Sequence, residues 1–140
     1  MSRVFWDTNL FVYLFEDKSE RAEQVVSLRQ RMMERNDELL TSTLTLGEIL
    51  AKPLEAGDQA LARHYGQAIT SAATILPFDQ AAAHAFAMVR QDRSIQPADA
   101  VQLACASAAG VDLFITNDRR LVRKVVPGIH FIQSLATTVI

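Results

Sequence analysis

The sequence predicts an α/β fold in which helices cover both faces of a parallel sheet. Short apolar segments typical of buried strands alternate along the 140-residue chain with longer segments whose apolar residues recur at helical spacing. Strands that alternate with helices in this way form parallel sheets. Helix-starting residues such as Ser19, Asp58 and Asp79 separate the segments. A chain of this length suits one core, so we expect residues 1–140 to form a single domain.

The predicted strands are short apolar runs bounded by polar or turn-forming residues. In chain order they are Val4–Trp6, Glu38–Ser42, Thr74–Leu76, Asp112–Thr116 and His130–Ile132. Pro77 closes the third strand, and Pro127-Gly128 turns the chain into the last one. The apolar segment from Leu135 to Ile140 suits either an edge strand or part of an interface.

The predicted helices fill the segments between these strands. They run from the residue after Asp7 to about Leu14, from the cap Ser19 to about Arg35, from Thr43 to Leu54, from the cap Asp58 to about Ala72, from the cap Asp79 to about Arg90, from Pro97 to about Ala109, and from Asn117-Asp118 to about Val125. A break at Glu16-Asp17-Lys18 separates the first two helices, and Pro53 should interrupt the third. The expected apolar face of the second helix consists of Ala22, Val25, Val26, Leu28 and Met32.

The composition, 49% hydrophobic and 21% charged, is that of an ordinary soluble globular protein. No apolar run approaches the roughly 18 residues that a membrane span needs, and no signal peptide is visible, so we expect a cytoplasmic protein. The single cysteine, Cys105, excludes an internal disulfide framework, and its apolar surroundings predict a buried structural thiol. The histidines have no metal-ligand spacing and are expected to be structural or surface residues; they are His64, His84 and His130.

Four acids, Asp7, Glu48, Asp99 and Asp118, each fit a plain structural role. Asp7 and Asp118 precede predicted helices and therefore suit N-caps. Glu48 completes the pattern of a capping box with Thr45. Asp99 lies in a first helical turn, where the helix dipole favours an acid. These roles do not explain the common position of the four acids relative to the predicted sheet.

The context of these acids predicts that they meet at one edge of the sheet. Asp-Thr-Asn follows the first strand and Thr-Asn-Asp follows the fourth, so Asp7 and Asp118 face each other if these strands are neighbours. Glu48 follows the second strand, and Asp99 begins a helix whose N-terminus lies at the same edge, where ligands bind in open α/β sheets. Thr116 is placed to orient a carboxylate by a hydrogen bond. Such oxygen ligands suit magnesium or manganese and not zinc.

Charge alone neither requires nor excludes a nucleic-acid partner. The formal net charge of −2 becomes +2 when the four acids are set aside, because bound cations would offset them. Basic residues cluster directly beside Asp118, at Arg119, Arg120, Arg123 and Lys124. The cluster fits a solvated helix face, and it gains weight as a phosphate-binding group only because it adjoins the candidate site.

These motifs make the chain resemble a PIN-domain nuclease, most closely a small toxin ribonuclease of the VapBC toxin–antitoxin class. The matching segments are Asp7-Thr8-Asn9, Leu46-Gly47-Glu48-Ile49, Pro97-Ala98-Asp99-Ala100 and Thr116-Asn117-Asp118. The resemblance covers the whole chain, because the length and the order of strands, helices and acids all agree.

The resemblance implies a three-layer α/β/α domain with a central parallel sheet of about five strands. It implies that the four acids bind Mg²⁺ or Mn²⁺ and that the substrate is RNA. Polar neighbours would orient these ligands or position the substrate, namely Thr8, Asn9, Thr116 and Asn117. The basic residues that would contact RNA are Arg119, Arg120 and Arg123. A homodimer is implied as well, together with an antitoxin that blocks the site, often with a basic side chain.

Departures from the pattern and rival classes limit this interpretation. Leu121 stands where some relatives carry a further acid, so the number of metal ions stays open.

A haloacid-dehalogenase-type phosphatase needs a second Asp where this chain has Asn9. A receiver-type module needs a phospho-accepting Asp after a middle strand, which here ends in Leu76-Pro77. A non-catalytic PIN-like RNA-binding module remains the alternative, although such domains usually lose one or more acids.

Overall fold

The computed structural model describes residues 1–16, 19–138 and 140. Within them, five strands alternate with seven helices. The strands are Arg3–Trp6 (β1), Glu38–Ser42 (β2), Thr74–Leu76 (β3), Leu113–Ile115 (β4) and Phe131–Gln133 (β5). The helices are Thr8–Glu16 (α1), Glu20–Glu34 (α2), Thr43–Glu55 (α3), Gln59–Ala72 (α4), Gln80–Val89 (α5), Pro97–Ala109 (α6) and Arg119–Val122 (α7).

The strands form one parallel sheet in the order β3-β2-β1-β4-β5. The first strand is therefore central, with β2 on one side and β4 on the other. Val4 pairs in register with Leu39 and with Leu113. The first and fourth strands are thus neighbours, which is the condition under which Asp7 and Asp118 were expected to face each other, and the carboxyl ends of β2, β1 and β4 meet at the same edge.

Helices cover both faces of the sheet, because successive strand side chains point to opposite faces. Phe5 packs in one apolar cluster, where its ring stacks on Phe114 at a centroid distance of 5.0 Å. Val4 and Trp6 pack in the other cluster, on the opposite face. All three residues are at most 1% exposed. The predicted three-layer α/β/α architecture is confirmed.

Several helix ends agree with the predicted signals. Ser19, Asp58 and Asp79 cap α2, α4 and α5 through their side chains. Pro97 begins α6, and Gly110 ends it in the left-handed conformation with φ 67°. These local signals do not depend on tertiary contacts, which is why the sequence alone locates them.

Other bounds differ from the prediction. α1 extends beyond Leu14 to Glu16, and α7 ends at Val122 instead of about Val125. Pro53 does not interrupt α3, which continues to Glu55. The proline lies in the last turn and is buried, so packing of its ring offsets the one backbone hydrogen bond that it cannot make.

The predicted apolar face of α2 is wrong at Val26, which is 53% exposed. Val25, Leu28 and Met32 are buried. These three recur at intervals of three and four residues, whereas Val26 lies about 100° around the helix from Val25.

The C-terminal segment forms no edge strand in residues 134–138. Thr137 instead closes a turn by donating its backbone N–H to the carbonyl of Ser134, and Leu135 is buried. Leu135 and the partly buried Ile140 belong to the apolar cluster that contains Trp6. Val139 lies outside the described residues, as do Asp17 and Lys18 of the predicted break after α1.

Cys105 is buried on α6, as predicted. Burial raises the pKa of its thiol to about 11, with a further contribution from the negative charge of Asp79. The thiol is therefore protonated at neutral pH, which fits a structural role. Within the described part of the chain, no helix is both long and apolar enough to cross a membrane.

We expect Gly128→Ala to destabilise the fold and Gly47→Ala to stabilise it. Gly128 has φ 91°, and an added Cβ would lie 2.6 Å from the carbonyl oxygen of Ser107. The positive φ alone should lower the free energy of unfolding by about 1–3 kcal/mol. Gly47 is helical with open space around it, so alanine there should raise that free energy by up to about 1 kcal/mol.

Urea denaturation of the two variants beside the wild type measures both effects. Equal stability of the Gly128→Ala variant and the wild type would contradict the close approach of this turn to α6.

Candidate metal centre

The candidate site lies where the carboxyl ends of three neighbouring strands meet. Asp7 follows the central strand β1, and Asp118 follows β4. Glu48 lies on α3, which begins directly after β2. Asp99 lies in the first turn of α6, which packs against β2 and α3. The order of the sheet therefore gathers residues that are far apart in the sequence.

Asp7 is the most buried of the four acids, with 6% of its surface exposed. Thr116 donates its hydroxyl to Oδ2 at 2.7 Å, and the backbone N–H of Thr8 donates to Oδ1 at 2.9 Å. Burial raises the pKa of Asp7 to about 6, against the lowering effect of these two hydrogen bonds. The negative charges of Asp99 and Glu48 raise it further. Ionised Asp7 is thus held by hydrogen-bond donors, and within the part of the chain that the structure describes no basic side chain forms an ion pair with it.

Asp99 interacts electrostatically with the other acids. Its pKa is raised first by burial, and then by the negative charges of Asp118 and Glu48, while Arg120 acts in the opposite direction. Asp7 is affected by Asp99 in turn. The structure therefore brings all four acids close enough for their charges to interact.

Asp118 is bound by the chain's own Arg120. Arg120 donates from Nη2 to Oδ2 at 2.9 Å and from Nε to Oδ1 at 3.1 Å. Asp118 also caps α7, because Oδ1 accepts the backbone N–H of Arg120 at 3.0 Å. The hydrogen bond from the Arg120 side chain is the main reason that the pKa of Asp118 is lowered.

Glu48 does not form the capping box that its spacing from Thr45 suggests. Ser42 is the N-cap of α3, and its Oγ accepts the backbone N–H of Thr45. The helix thus begins before Thr45, and Glu48 lies in its second turn. Its Oε1 instead accepts the Thr8 hydroxyl at 2.7 Å. Glu48 is therefore linked to the residue that follows Asp7.

The two asparagines brace the loops around the acids. Asn9 donates from Nδ2 to the Thr116 hydroxyl at 3.4 Å and accepts the backbone N–H of Asn117 at Oδ1, at 3.3 Å. The Asn117 side chain donates to the Tyr13 hydroxyl at 2.9 Å. These contacts join the β1–α1 and β4–α7 connections. Neither asparagine makes a side-chain hydrogen bond to one of the four acids in the described residues.

Gln102 is a site residue that sequence reasoning missed. It lies on α6 three residues after Asp99, is only 2% exposed, and contacts Thr8, Thr45 and Asp7. The available signal was a glutamine in the otherwise apolar stretch from Val101 to Ala106. One helical turn separates residues i and i+3, so Asp99 and Gln102 lie on the same side of α6.

Of the predicted RNA-contacting arginines, only Arg120 contacts one of the acids. Arg119 and Arg123 are exposed, and Arg123 lines a groove of about 570 Å³ together with Met88 and Val125. None of the four acids lines this groove. Lys124 lies beside it and forms an ion pair with Asp92 at 2.8 Å.

The donor set fits a divalent cation, although its members have other partners in this structure. Across residues 1–16, 19–138 and 140, no group of three or more His, Cys, Asp or Glu side chains is close enough together to hold a metal ion. Arg120 holds Asp118 and Thr8 holds Glu48. The carboxylates of Asp7 and Asp99, whose pKa values the neighbouring acids help to raise, are nevertheless hard oxygen donors of the kind that Mg²⁺ and Mn²⁺ prefer. Leu121 is buried and adds no ligand.

Three solved structures show how widely this fold is shared. A VapBC2 structure from Rickettsia felis, bound to a DNA fragment from the promoter, has a TM-score of 0.76 and 14% identity, over 94% of this chain and 98% of the other. A DNA-bound VapBC from Salmonella typhimurium has a TM-score of 0.67 and 22% identity, over 96% and 99%. VapBC-5 from Mycobacterium tuberculosis has a TM-score of 0.62 and 18% identity, over 95% and 99%. At these identities the similarity is one of fold.

Among curated proteins, none matches the sequence at a significant level. A family model for the PIN domain, by contrast, matches residues 4–126, which contain every strand except β5 and all four acids. PIN domains are nucleases, and the predicted resemblance is confirmed: the chain belongs to the PIN domain family.

Proposed function

We propose that this chain is an endoribonuclease that binds Mg²⁺ or Mn²⁺ through Asp7, Glu48, Asp99 and Asp118. One observation carries the proposal. Asp7 is buried beside two other acids, and among the described residues no basic side chain forms an ion pair with it. A buried carboxylate is costly unless it is paired or binds a metal. A cation at this point would remove that cost.

The residues around the acids have distinct tasks in this proposal. Thr116 and the backbone N–H of Thr8 hold the Asp7 carboxylate in one orientation, and Thr8 holds Glu48. A bound cation would supply a water of lowered pKa and would stabilise charge that develops on the phosphate. Asp118 would exchange its hydrogen bonds to Arg120 for this cation, whereas Glu48 would keep the hydrogen bond from Thr8 that orients it.

Arg120 and Arg119 are the basic residues best placed to bind RNA phosphates. Both are exposed at the start of α7, directly after Asp118. The ion pair between Arg120 and Asp118 is also exposed, with 67% of the arginine side chain accessible, so its net stability is small. Once Asp118 binds a cation, the Arg120 guanidinium is free to bind a neighbouring phosphate.

The shared fold supports a more specific role as the toxin of a type II toxin–antitoxin pair. The similar structures are described as VapBC or toxin–antitoxin complexes, and the match spans 98–99% of three of their chains. We propose a cognate antitoxin and a homodimer on this basis. An antitoxin arginine would block the site by binding an acid as Arg120 binds Asp118.

The first prediction concerns cleavage of RNA by the purified protein. We expect cleavage with Mg²⁺ or Mn²⁺, none with EDTA, and none by Asp7→Asn, because this change keeps the shape of the side chain but removes a ligand charge. Asp79→Asn is the matched control, since Asp79 caps α5 and asparagine caps about as well. Gel analysis of total RNA measures cleavage by the wild type with Mg²⁺, with Mn²⁺ and with EDTA, and cleavage by both variants with metal.

Unchanged activity of Asp7→Asn would remove Asp7 from the mechanism. A folded wild type that neither cleaves RNA nor binds Mn²⁺ would favour the non-catalytic RNA-binding alternative.

The second prediction concerns the stability of the metal-free protein. The folded-state pKa of Asp7 is about 6, above the ordinary value of 3.8. The folded state therefore binds this proton more tightly, and the contribution of Asp7 to stability falls as pH rises through this interval, by about 2–3 kcal/mol in total. Asp7→Asn cannot ionise. In EDTA we expect it to exceed the wild type in unfolding free energy by about 1 kcal/mol or more at pH 7.5.

Urea denaturation in EDTA at pH 4.5 and pH 7.5 provides the measurement. The stability difference between the variant and the wild type should shrink at the lower pH. A difference that does not change with pH would show that burial of Asp7 does not raise its pKa.

The third prediction separates the two roles of Arg120. Arg120→Gln removes a cation that competes for Asp118, so Mn²⁺ should bind several-fold more tightly while RNA binds more weakly. Arg119→Gln is the matched control, because it makes the same charge change at an exposed neighbour. It should weaken RNA binding and leave Mn²⁺ affinity nearly unchanged. Calorimetry with Mn²⁺ and anisotropy with labelled RNA test this, and weaker Mn²⁺ binding by Arg120→Gln would contradict it.

A further inference from the structure

The side-chain amide of Gln102 is the centre of a buried polar network beneath the candidate site. Its Nε2 lies 2.6 Å from the Thr45 hydroxyl, 3.0 Å from the Thr8 hydroxyl and 3.4 Å from Oδ1 of Asp7. Its Oε1 accepts the Ser42 hydroxyl. The network thus connects α6, the end of β2, α3 and the end of β1.

The residues around Gln102 fix which end of its side-chain amide faces the site. The ionised Asp7 carboxylate only accepts hydrogen bonds, so an amide oxygen in the position of Nε2 would be repelled. The single proton of the Thr8 hydroxyl is directed to Glu48, at 2.7 Å from Oε1, and is not available to such an oxygen. The amide nitrogen must therefore face Thr8 and Asp7, with the oxygen on Ser42.

Counting protons then sets the direction of the remaining hydrogen bonds. The hydroxyls of Thr8 and Thr45 lie 3.0 Å apart, and either one can donate by geometry alone. Because Thr8 donates to Glu48, Thr45 must donate to Thr8. Gln102 in turn donates to Thr45. The donors thus form a directed chain from Gln102 through Thr45 and Thr8 to the Glu48 carboxylate.

We infer that Gln102 is a positioning residue of the metal centre, which acts on Glu48 through Thr45 and Thr8 and on Asp7 directly. The inference rests on the proposed function of the four acids. Each hydroxyl in this hydrogen-bond chain has one proton, and the order of donors directs that proton to a single acceptor, so each hydroxyl has a single orientation. Partners of this kind fix the orientation of metal ligands. Without the amide, Thr45 and Thr8 could reverse their donation and leave Glu48 without a fixed donor.

The test measures the affinity of the full chain for Mn²⁺ by calorimetry. Gln102→Met keeps the length of the side chain but removes both amide groups, and we expect Mn²⁺ to bind about tenfold more weakly or worse. The matched control is Cys105→Ala, a buried change one turn further along α6, where the thiol contacts the Pro77 carbonyl. This control should lower stability and leave Mn²⁺ affinity nearly unchanged.

A second set of variants tests the hydrogen-bond chain at Thr8, which is half-buried. Thr8→Val removes the donor to Glu48 and should weaken Mn²⁺ binding as Gln102→Met does. Thr8→Ser keeps the hydroxyl and should bind Mn²⁺ as the wild type does. The Thr8→Val, Gln102→Met double variant should bind within about twofold of Gln102→Met alone, because Gln102→Met already interrupts the chain and also removes the contact with Asp7.

The outcomes separate the inference from the proposed function. If the wild type binds Mn²⁺ and both Gln102→Met and Thr8→Val bind it equally well, the positioning role is wrong while the metal centre stands. Additive losses in the double variant would also overturn the directed chain. If the wild type itself binds no Mn²⁺, the proposed metal centre fails and the inference fails with it.

Discussion

A carboxylate buried at the end of the central strand constrains much of this structure. Asp7 is 6% exposed, and this burial raises its pKa to about 6. Its hydrogen-bond donors come from parts of the chain that are distant in sequence: Thr116 follows β4, and Gln102 lies on α6. The hydrogen bonds to the Asp7 carboxylate therefore depend on where β4 and α6 lie. Buried polar groups that lack such donors would destabilise the fold.

The sequence predicts those parts of the fold that depend on local signals. β2 and β3 have the predicted bounds, and Ser19, Asp58 and Asp79 cap the helices expected of them. Pro53 was misjudged because its acceptance into α3 depends on burial, which is a tertiary property.

The same distinction applies to the candidate site. The acids could be predicted because strand ends and acidic residues are both visible in the sequence, and Thr116 could be predicted as a hydrogen-bond partner of a carboxylate in the same way. The other partners of the acids are not visible in the sequence. The position of Gln102 in an otherwise apolar stretch of α6 predicts burial at most, and it does not reveal which residues the amide contacts. The ion pair of Arg120 with Asp118 depends on side-chain conformation, and a spacing of two residues does not predict it. Tertiary contacts determine these partners, and the residue pattern alone does not predict them.

The site combines rigid and exchangeable contacts. Hydrogen bonds around Asp7 and Gln102 lie in the interior, where each lost partner leaves an unpaired polar group. The pair formed by Arg120 and Asp118 lies at the surface, where solvent replaces either partner at small cost. The rigid contacts thus hold Asp7 and its neighbours in place, as the proposed metal centre requires. The weak contact at Asp118 can be released when a cation binds there. Such departures from stable burial are expected at functional sites.

The central position of β1 also determines when the site can form during protein synthesis. Asp7 is translated well before its hydrogen-bond partner Thr116, which follows 109 residues later. A nascent chain that ends before β4 lacks one of the two neighbours of β1 and the residues that complete the edge of the sheet. Contacts of such long sequence separation form late, after the intervening chain has been made. The four acids therefore cannot assemble until the chain has been synthesised beyond β4.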